Sequence, residues 1–493
     1  MSFLLAAITY GSPVHYPIEL AGNFAEPRPN HFHGGCDIKT GQVEGKALHS
    51  IGDGYVSKIT IGLLGFGNAL YIHHPEGYTS VYCHLRDFSP RIKAMLRKAQ
   101  YGQHKSQGLY LFAPGELPIS RDEFIAWSGN SGASQAPHLH LEVHHNKTWN
   151  MLDPLMFIGH AVNDHLAPQA HGFMATPIAG KGTFGGSQRV QVFGFSSHHL
   201  ATHFTAWGKV GFGIWANDYM ESTYNNYGIR KQQLFVDGRL AFQSDANNIP
   251  VRSNLQVNYW GDYQHYLHAH VWYMRSYLLP GITLPIFKTN RDRGVVNFLQ
   301  ERDYHLTYVL TDFAGNSSKY SFTVTGHRTT IPSANTQQGV PMCWDKTNIY
   351  MRPNIKMTLH RGLLAEHVIL DTKSRSGKWS SIYSFHKGSY PLLGYGMLSL
   401  KVHQKPTRPS QLYIVSHWGT DRYMGGTYHN GWVTGHIREL GATYEVACDN
   451  HAPMITPIGI GEWSRSGQLT IGLNDEQSGL AGYQAFVDGQ FVL

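Results

Sequence analysis

The chain has 493 residues, too many for one hydrophobic core, and this length predicts about three domains. Charged residues make up 15% of the chain and aromatic residues 13%, alongside 53 glycines; this composition favours β-rich modules joined by tight turns over helical bundles. The formal charge of +7 comes without a dense basic run, which argues against a nucleic-acid partner, and no apolar run is long enough to cross a membrane.

The N-terminal segment allows two structures. Residues 3–8 are apolar, but no lysine or arginine precedes them. Residues 1–16 are therefore either a clipped secretory leader or the beginning of an ordinary buried strand.

Residues 17–160 are predicted to form a compact domain built on an antiparallel sheet. Within it, alternating apolar and polar residues predict three strands, and apolar residues at helical spacing among basic ones predict a surface helix. The strands are expected at 54–59, 68–72 and 78–85, and the helix at 89–101.

The stretch 128–143 contains a pair of histidines near its end. Alternation after Pro137 predicts a strand, so His138 and His140 should face one cleft while Leu139 and Leu141 face the core. The preceding small, turn-forming residues predict a surface loop that lets a substrate approach the strand.

A second cluster contains His33 and Asp37. On a straight strand these residues would lie about 13 Å apart, too far to share a metal ion, so the chain must fold back at the intervening glycine pair. A carboxylate with two histidines is the ligand set of a catalytic zinc site. Three histidines could complete such a site: His84, His138 and His140.

These motifs resemble those of the lysostaphin-type zinc endopeptidases of peptidoglycan. The resemblance covers about residues 17–157 and rests on HxGxD at 33–37, GYTSVYCHL at 77–85, and SGNSG leading to HLHLEV within 128–143. It implies a small antiparallel sheet with a groove, a zinc cofactor, and cleavage of peptide bonds in peptidoglycan cross-links or stem peptides.

Carried over position by position, the resemblance implies that His33, Asp37 and His140 bind zinc. It also implies that His84 and His138 stand beside the attacking water and the scissile carbonyl. A neighbouring imidazole can take and return a proton, so we assign the acid–base work to His84 and His138 jointly. The chain has no HExxH helix, so a glutamate base of the usual metalloprotease kind is not indicated.

Asn130 and Ser134, in the loop before the histidine strand, are predicted to contact the substrate. Glu142 lies on the same alternation face as the histidine pair. It either orients a ligand or is a structural or rim residue, and the second interpretation is favoured.

Other residues beside the motifs are predicted to be structural. Cys36 and Cys83 are interpreted as buried free thiols rather than as a regulatory disulfide or extra metal ligands. The flanking His74 and His144 are interpreted as turn or surface residues.

Beyond residue 160 the sequence predicts further β modules. FVDG at 235–238 recurs at 486–489, and MATPI at 174–178 is echoed by MITPI at 454–458, which indicates a duplicated module. We predict an immunoglobulin-like β-sandwich with an insertion at 161–330, a β-rich module of unknown role at 331–450, and an incomplete second copy at 451–493. The first copy ends with alternating residues around a Gly-Asn turn at 304–324, which predict a closing hairpin. The second copy lacks this hairpin, which suggests a fragment, or a natural chain that continues. Asp312 lacks an ordered acidic loop, so turn capping is favoured over calcium binding.

The fold class is thus predicted as mainly β, with a small zinc peptidase domain followed by immunoglobulin-like modules. The leading hypothesis is a secreted or periplasmic, zinc-dependent peptidoglycan endopeptidase. One alternative is a non-catalytic protein that binds peptidoglycan or activates another wall hydrolase. Another is an adhesion protein in which the peptidase domain is accessory.

Overall fold

The computed structural model describes residues 10–334, 338–467 and 469–493. These residues form mainly antiparallel sheets, which confirms the mainly β prediction. Among the described helices, none combines the length and apolar character needed to cross a membrane.

Two compact units make up the chain. One comprises Met1–Leu278, Thr283–Asn335 and Gln484–Leu493, and the other comprises Leu279–Ile282 and Thr336–Tyr483.

The first sheet of the larger unit carries the histidine strand near its middle. Alternate side chains of its strands enter a buried apolar core, as the sequence pattern requires. Its strands, in spatial order, are Leu20–Gly22, Cys36–Lys39, His138–His145, Tyr78–Cys83, Ala69–His73, Gly54–Ile61 and Gly108–Leu111. Pro118–Ile119 pairs with Gly54–Ile61, and Met151–Leu152 pairs with both His138–His145 and Asn248–Ile249.

Two smaller sheets flank this one. One is the hairpin Pro27–Arg28 and His31–Phe32, and the other has the strands Ala47–His49, Phe124–Trp127 and Asp87–Phe88. The three strands predicted between residues 54 and 85 are all present, so the alternation pattern located them correctly.

The predicted surface helix is confirmed as Pro90–Gln103. Proline occupies its first turn, where a missing backbone N–H costs nothing, and Ile92 and Leu96 are buried. The helix ends at His104, which adopts a left-handed conformation.

The predicted leader is only partly described. Residues 1–9 lie outside the described residues, whereas Tyr10 and Val14 are buried in the core of the first sheet.

A ten-stranded second sheet follows in the larger unit. Its strands in spatial order are Gln191–Gly194, Gln169–Phe184, His199–Asn217, Ser317–Gly326, Asp303–Thr311, Lys231–Val236, Arg239–Asp245 and Phe287–Thr289, with Met274–Arg275 and Val296–Phe298 paired to His199–Asn217. The hairpin predicted near residues 304–324 is confirmed by Asp303–Thr311 and Ser317–Gly326. One pair is parallel, His199–Asn217 with Ser317–Gly326. The immunoglobulin-like character of this region stays a prediction.

The smaller unit contains two five-stranded sheets. One has the strands Asn348–Arg352, Ile355–Leu359, Pro391–Lys401, Trp432–Glu439 and Thr427–His429, and the other Lys373–Arg375, Ile382–Ser384, Thr443–Cys448, Leu412–Trp418 and Thr420–Tyr423. Two two-stranded antiparallel sheets accompany them, Val340–Met342 with Val368–Leu370 and Met454–Ile458 with Thr470–Asn474.

The repeated FVDG sequences adopt the same turn. In both, the aspartate has φ 49° and the glycine φ 75°, as type I′ hairpins require. The turns join Lys231–Val236 to Arg239–Asp245 and Ala485–Val487 to Gln490–Val492. The predicted duplication stays a prediction, but its two FVDG segments form similar hairpins.

The remaining described helices are short. The α-helices are Leu155–Ile158, Val257–Trp260, Tyr263–Ala269 and Ile460–Ser466, and the 3-10 helices are Gly159–Ala161, Val251–Gln256 and Pro409–Gln411.

Candidate metal centre

Strand register brings the first predicted ligands together. The strands Cys36–Lys39 and His138–His145 are antiparallel, and His140 lies directly opposite Asp37. Directly opposed residues project to the same face of a sheet, so their side chains meet. The intervening Leu139 and Leu141 are fully buried on the other face, as the alternation predicts.

His33 joins this pair from the loop after the strand His31–Phe32. Its Nε2 lies 3.0 Å from Asp37 Oδ1 and 3.0 Å from His140 Nδ1. Asp37 Oδ1 and His140 Nδ1 are themselves 2.8 Å apart. The chain does fold back between His33 and Asp37. The glycine pair is needed for space, since a Cβ at Gly34 would lie 2.3 Å from Glu142 Oε1, and one at Gly35 would lie 2.1 Å from the carbonyl oxygen of Leu141.

Hydrogen bonds select which nitrogen of each imidazole faces the centre. His33 Nδ1 lies 2.6 Å from the carbonyl oxygen of Asn23 and donates to it, so Nε2 presents its lone pair inward. His140 Nε2 lies 3.1 Å from Glu142 Oε1, which leaves Nδ1 facing inward when the ring is neutral. One carboxylate oxygen and two imidazole nitrogens therefore converge on one point.

This donor set fits zinc. Histidine nitrogen and carboxylate oxygen are usual zinc ligands, and at bond lengths of about 2.0–2.2 Å the ligand atoms of a tetrahedral ion lie about 3.3–3.6 Å apart. The observed spacings of 2.8–3.0 Å are slightly shorter, so a small outward shift of the three side chains would accommodate the ion. Three protein ligands leave a fourth position for a reactant.

The electrostatic surroundings of the centre favour a cation. Burial alone would raise the pKa of Asp37, but its interactions with His33, His138 and His140 hold it well below its ordinary value. Burial would lower the pKa of His140, yet its hydrogen bonds with Asp37 and Glu142 raise it to about 9. For His33, burial is the dominant influence and lowers the pKa.

The other two predicted histidines line the open side of the centre. His138 Nε2 lies 3.3 Å from Asp37 Oδ1, and its Nδ1 lies 2.8 Å from the carbonyl oxygen of Ala136. His84 Nδ1 lies 2.8 Å from the carbonyl oxygen of Ser131. The ring centroids of His84 and His138 are 4.9 Å apart. Both imidazoles are therefore close together, and each is oriented by the contact of its Nδ1 with a backbone carbonyl.

His84 reaches this position through an unusual backbone conformation. The preceding strand ends at Cys83, and His84 has φ 59°, in the left-handed region that non-glycine residues rarely occupy. Burial lowers its pKa to about 4, so its imidazole is neutral near neutral pH and can accept a proton.

The two loop residues predicted to contact substrate have different surroundings. Ser134 Oγ lies 2.9 Å from the carbonyl oxygen of Ala136 and 3.2 Å from His138 Nδ1, so it belongs to the turn that orients His138. The Oδ1 atom of Asn130 is buried and has no hydrogen-bond partner among the described residues. A role for either residue in substrate binding stays a prediction.

Glu142 and His144 form a buried extension of the centre. Glu142 Oε2 lies 2.6 Å from His144 Nε2, and the His144 ring stacks on Trp149 with a centroid distance of 4.4 Å. The rim position considered for Glu142 is therefore wrong, because Glu142 is buried; its contact with His140 fits the other interpretation, a residue that orients a ligand. The surface assignment of His144 is also wrong, since it is buried on the same strand face, where alternation could have placed it.

Sequence reasoning missed several other neighbours. His74 is fully buried, with its ring nitrogens 2.8 Å from the carbonyl oxygen of Asp53 and 2.7 Å from Ser80 Oγ, so its surface assignment is wrong. Arg28 donates to Asp37 Oδ2 at 2.9 Å and so leaves Oδ1 for the centre. No local sequence pattern indicates this role for Arg28.

Phe66 and the cysteines complete the surroundings. The Phe66 ring stacks over His140 at a centroid distance of 5.8 Å and is partly exposed. Cys36 and Cys83 are free and fully buried, which confirms the interpretation of both as buried thiols.

Sequence comparison relates part of this chain to a metalloprotease. It is 28% identical over 141 residues to an uncharacterized metalloprotease of Haemophilus influenzae (strain ATCC 51907 / DSM 11121 / KW20 / Rd). The aligned region covers 27% of this chain and 24% of that protein. The chain thus spans about a quarter of the length of this curated relative. Residues 340–449 match the family model of the Zu5-like domain.

Solved structures give weaker likenesses. A zinc-containing peptidase from Vibrio cholerae is 24% identical, over 32% of this chain and 40% of that chain, with a TM-score of 0.22. A putative peptidase M23 from Pseudomonas aeruginosa is 21% identical; the match covers 31% of this chain and 52% of that chain, with a TM-score of 0.22. The catalytic domain of lysostaphin, an antimicrobial peptidase from Staphylococcus simulans, is 19% identical; the match covers 28% of this chain and 90% of that chain, with a TM-score of 0.21. These TM-scores are too low to support a functional conclusion.

Proposed function

We propose that this protein is a zinc-dependent endopeptidase that hydrolyses peptide bonds in peptidoglycan cross-links or stem peptides. The observation that carries the proposal is the convergence of His33 Nε2, Asp37 Oδ1 and His140 Nδ1 within 3.0 Å of one another. Two further histidines beside this point and the sequence similarity to a metalloprotease support it.

The proposed roles follow from the contacts of each residue. His33, Asp37 and His140 would hold the zinc ion, which supplies activation of a water molecule and polarisation of the peptide carbonyl. Asn23 and Glu142 hold the two ligand imidazoles through their second nitrogens, so little reorganisation is needed when the metal binds.

His84 and His138 supply the acid–base chemistry. Each uses Nδ1 to contact a backbone carbonyl. Nε2 of His84 then remains for the reacting groups, and Nε2 of His138, which lies 3.3 Å from Asp37 Oδ1, would become available to them once Asp37 holds the metal. One imidazole accepts the proton of the attacking water and returns it to the leaving amine, while the other can donate a hydrogen bond to the developing oxyanion. Either histidine can transfer the proton while the other donates to the oxyanion.

The substrate side of the centre offers both polar and apolar contacts. Phe66, together with the exposed Leu63 and Leu64 of the same loop, can contact apolar parts of a peptide. The Oδ1 atom of Asn130 is buried, so substrate binding by Asn130 requires its side chain to turn outward, where it could accept a hydrogen bond from a peptide N–H. We assign the protein to the cell envelope or the secreted fraction because its proposed substrate lies there.

Digestion of purified peptidoglycan tests the proposal. The intact protein should release new amine and carboxyl termini, detected by mass spectrometry, and His140→Ala should release none. His145→Ala is the matched control: His145 is a half-buried residue of the same strand that contacts Thr148 and not the converging atoms, so this variant should keep its activity.

The metal requirement is tested in the same assay. Chelator treatment should abolish cleavage, and added Zn²⁺ should restore it. Circular dichroism of His140→Ala should match that of the intact protein, so that its loss of activity cannot be attributed to unfolding. A folded, zinc-loaded intact protein that releases no termini would overturn the proposal and favour a wall-binding or regulatory protein.

A further inference from the structure

Three buried carboxylates that do not belong to the candidate metal centre converge in the larger unit. Asp164 follows the short helix Gly159–Ala161, Asp218 follows the strand His199–Asn217, and Asp312 follows the strand Asp303–Thr311. Their exposed fractions are 7%, 1% and 3%, and one oxygen of each lies within 4.8 Å of the others.

Two of these three carboxylates have incomplete hydrogen bonds. Asp312 is the exception: its Oδ1 accepts from the backbone N–H groups of Gly315 and Asn316 at 2.7 and 2.9 Å, and its Oδ2 accepts from the Asn316 side chain at 2.8 Å, so it does cap its turn as predicted. Asp164 uses Oδ1 to accept from Leu166 N, but no described residue donates a hydrogen bond to its Oδ2. Both oxygens of Asp218 are buried, and within the described parts of the chain neither meets the geometry of a hydrogen bond; the adjacent backbone N–H of Tyr219 has only a weak electrostatic effect on this carboxylate.

The negative charge of the cluster is only weakly compensated. The neighbouring His165 acts on Asp164 through its charge but forms its ion pair with Glu221, and within the described residues no Lys, Arg or His side-chain nitrogen forms an ion pair with any of the three carboxylates. Burial, followed by the charges of Asp312 and Asp164, raises the pKa of Asp218 to about 8, against a smaller opposite effect of the backbone N–H of Tyr219. Mutual repulsion in a buried site is costly unless a cation offsets it.

The chemistry of the donors selects the cation. All available donors are hard oxygen atoms, which suit Ca²⁺ and Mg²⁺ rather than zinc. Mg²⁺ gives up its waters reluctantly and is usually bound through one or two carboxylates, whereas Ca²⁺ accepts six to eight oxygen ligands in flexible geometry. Three buried carboxylates that converge therefore suit calcium better than magnesium.

We propose that Asp164, Asp218 and Asp312 bind a calcium ion that stabilises the fold. The unpartnered, almost fully buried carboxylate of Asp218, directed at the other two, carries this inference. The ion joins three segments that are distant in sequence, and both waters and further oxygens can complete its coordination.

The segment after Asp218 shows what the ion would stabilise. Asp218 and Tyr227 exchange two backbone hydrogen bonds of 3.0 Å, and Tyr227 donates its hydroxyl to the carbonyl oxygen of Leu20 in the first sheet. The adjacent Gly228 exchanges two hydrogen bonds with the side chain of Asn23. Calcium at Asp218 therefore holds the base of a loop that is attached to the first sheet.

Calcium titration of the whole chain tests this proposal. The protein is freed of calcium on a chelating resin, and its zinc content is measured so that loss of zinc cannot be mistaken for loss of calcium. Isothermal titration with CaCl₂ should give one saturable site. Calcium at a hundredfold excess over its Kd should raise the Tm by roughly 5 °C or more, and MgCl₂ should bind at least tenfold more weakly.

Two variants locate the site. Asp218→Asn should weaken calcium binding at least a hundredfold, and its Tm without calcium should equal or exceed that of the wild type because a neutral amide avoids the cost of burying or protonating the carboxylate. Asp237→Asn is the matched control, since Asp237 already contacts His305 N and Arg302 and should not contribute to calcium binding. Asp164→Asn replaces Asp218→Asn if the latter does not fold.

Either of two results would overturn the proposal. One is the absence of saturable calcium binding to the wild type. The other is calcium binding that remains unchanged in Asp218→Asn or, where that variant does not fold, in Asp164→Asn. Magnesium binding as tight as calcium binding would overturn the assignment of the ion.

Discussion

Substitution of Glu142 by glutamine tests how the centre is held together. Burial alone would raise the pKa of Glu142, but hydrogen bonds from His140 and His144 hold it below its ordinary value, so it is ionised at neutral pH. Its two oxygens contact His140 Nε2 at 3.1 Å and His144 Nε2 at 2.6 Å. Glutamine has nearly the same shape, but it removes the charge and places an NH₂ group against one of two N–H donors.

The expected loss can be estimated from these contacts. A group that orients a metal-binding histidine typically changes metal affinity by about 10- to 100-fold, which is about 1.4–2.8 kcal/mol. A hydrogen bond to a charged group contributes a similar amount, about 1.5–3 kcal/mol. Glu142→Gln should therefore weaken zinc binding 10- to 100-fold while the fold is kept.

Competition with a chromophoric zinc chelator measures this change. His144→Phe is a useful partner variant, because it keeps an aromatic ring against Trp149 while the contact between Glu142 and His140 is retained. It should weaken zinc binding less than Glu142→Gln does. An unchanged zinc Kd in Glu142→Gln, or a larger loss in His144→Phe, would refute the reasoning.

Four further predictions concern catalysis, packing, reactivity and pH. His84→Ala should keep its zinc but lose about 10²- to 10⁴-fold in the rate of peptidoglycan digestion; a rate within a few-fold of wild type would count against its acid–base role. Leu141→Ala should lower the free energy of unfolding in urea by about 2–5 kcal/mol because the side chain is fully buried, and a loss well under 1 kcal/mol would contradict this packing. Burial raises the pKa of the thiols of Cys36 and Cys83, so peptide mapping after maleimide treatment should find them modified only in unfolded protein; rapid modification of the native protein would be the opposite result. In calcium-free buffer the Tm should fall as the pH rises from about 4 to 8, because Asp218 has its pKa raised from 3.8 to about 8 and the native state binds more protons than the unfolded state in that interval. Asp218→Asn should flatten this dependence, and a Tm that rises through the same interval in the wild type but not in the variant would contradict it.

Local patterns in the sequence were sufficient for part of the site. The alternation of His138 and His140 with two leucines predicted which side chains share a face, because burial of the leucines fixes the orientation of the strand. The distance between His33 and Asp37 on an extended chain predicted that the backbone must fold back. Both inferences depend only on residues close together in the sequence.

Contacts between distant segments could not be predicted in this way. Arg28 contacts Asp37 through the path of a short hairpin, and nothing in the surrounding sequence requires it. Asp312 was correctly interpreted as a turn cap, but its proximity to Asp164 and Asp218 depends on how the second sheet is assembled. His144 was missed although its alternation with Glu142 could have indicated a buried position.

The most direct test of the central claim is digestion of purified peptidoglycan in water enriched in ¹⁸O. Hydrolysis by the zinc-loaded protein should place one ¹⁸O atom in each newly formed carboxyl group, and mass spectrometry of the fragments would identify the bond. His140→Ala should give no such fragments. If the intact, zinc-loaded protein yields no labelled carboxyl termini, the proposed endopeptidase activity is contradicted.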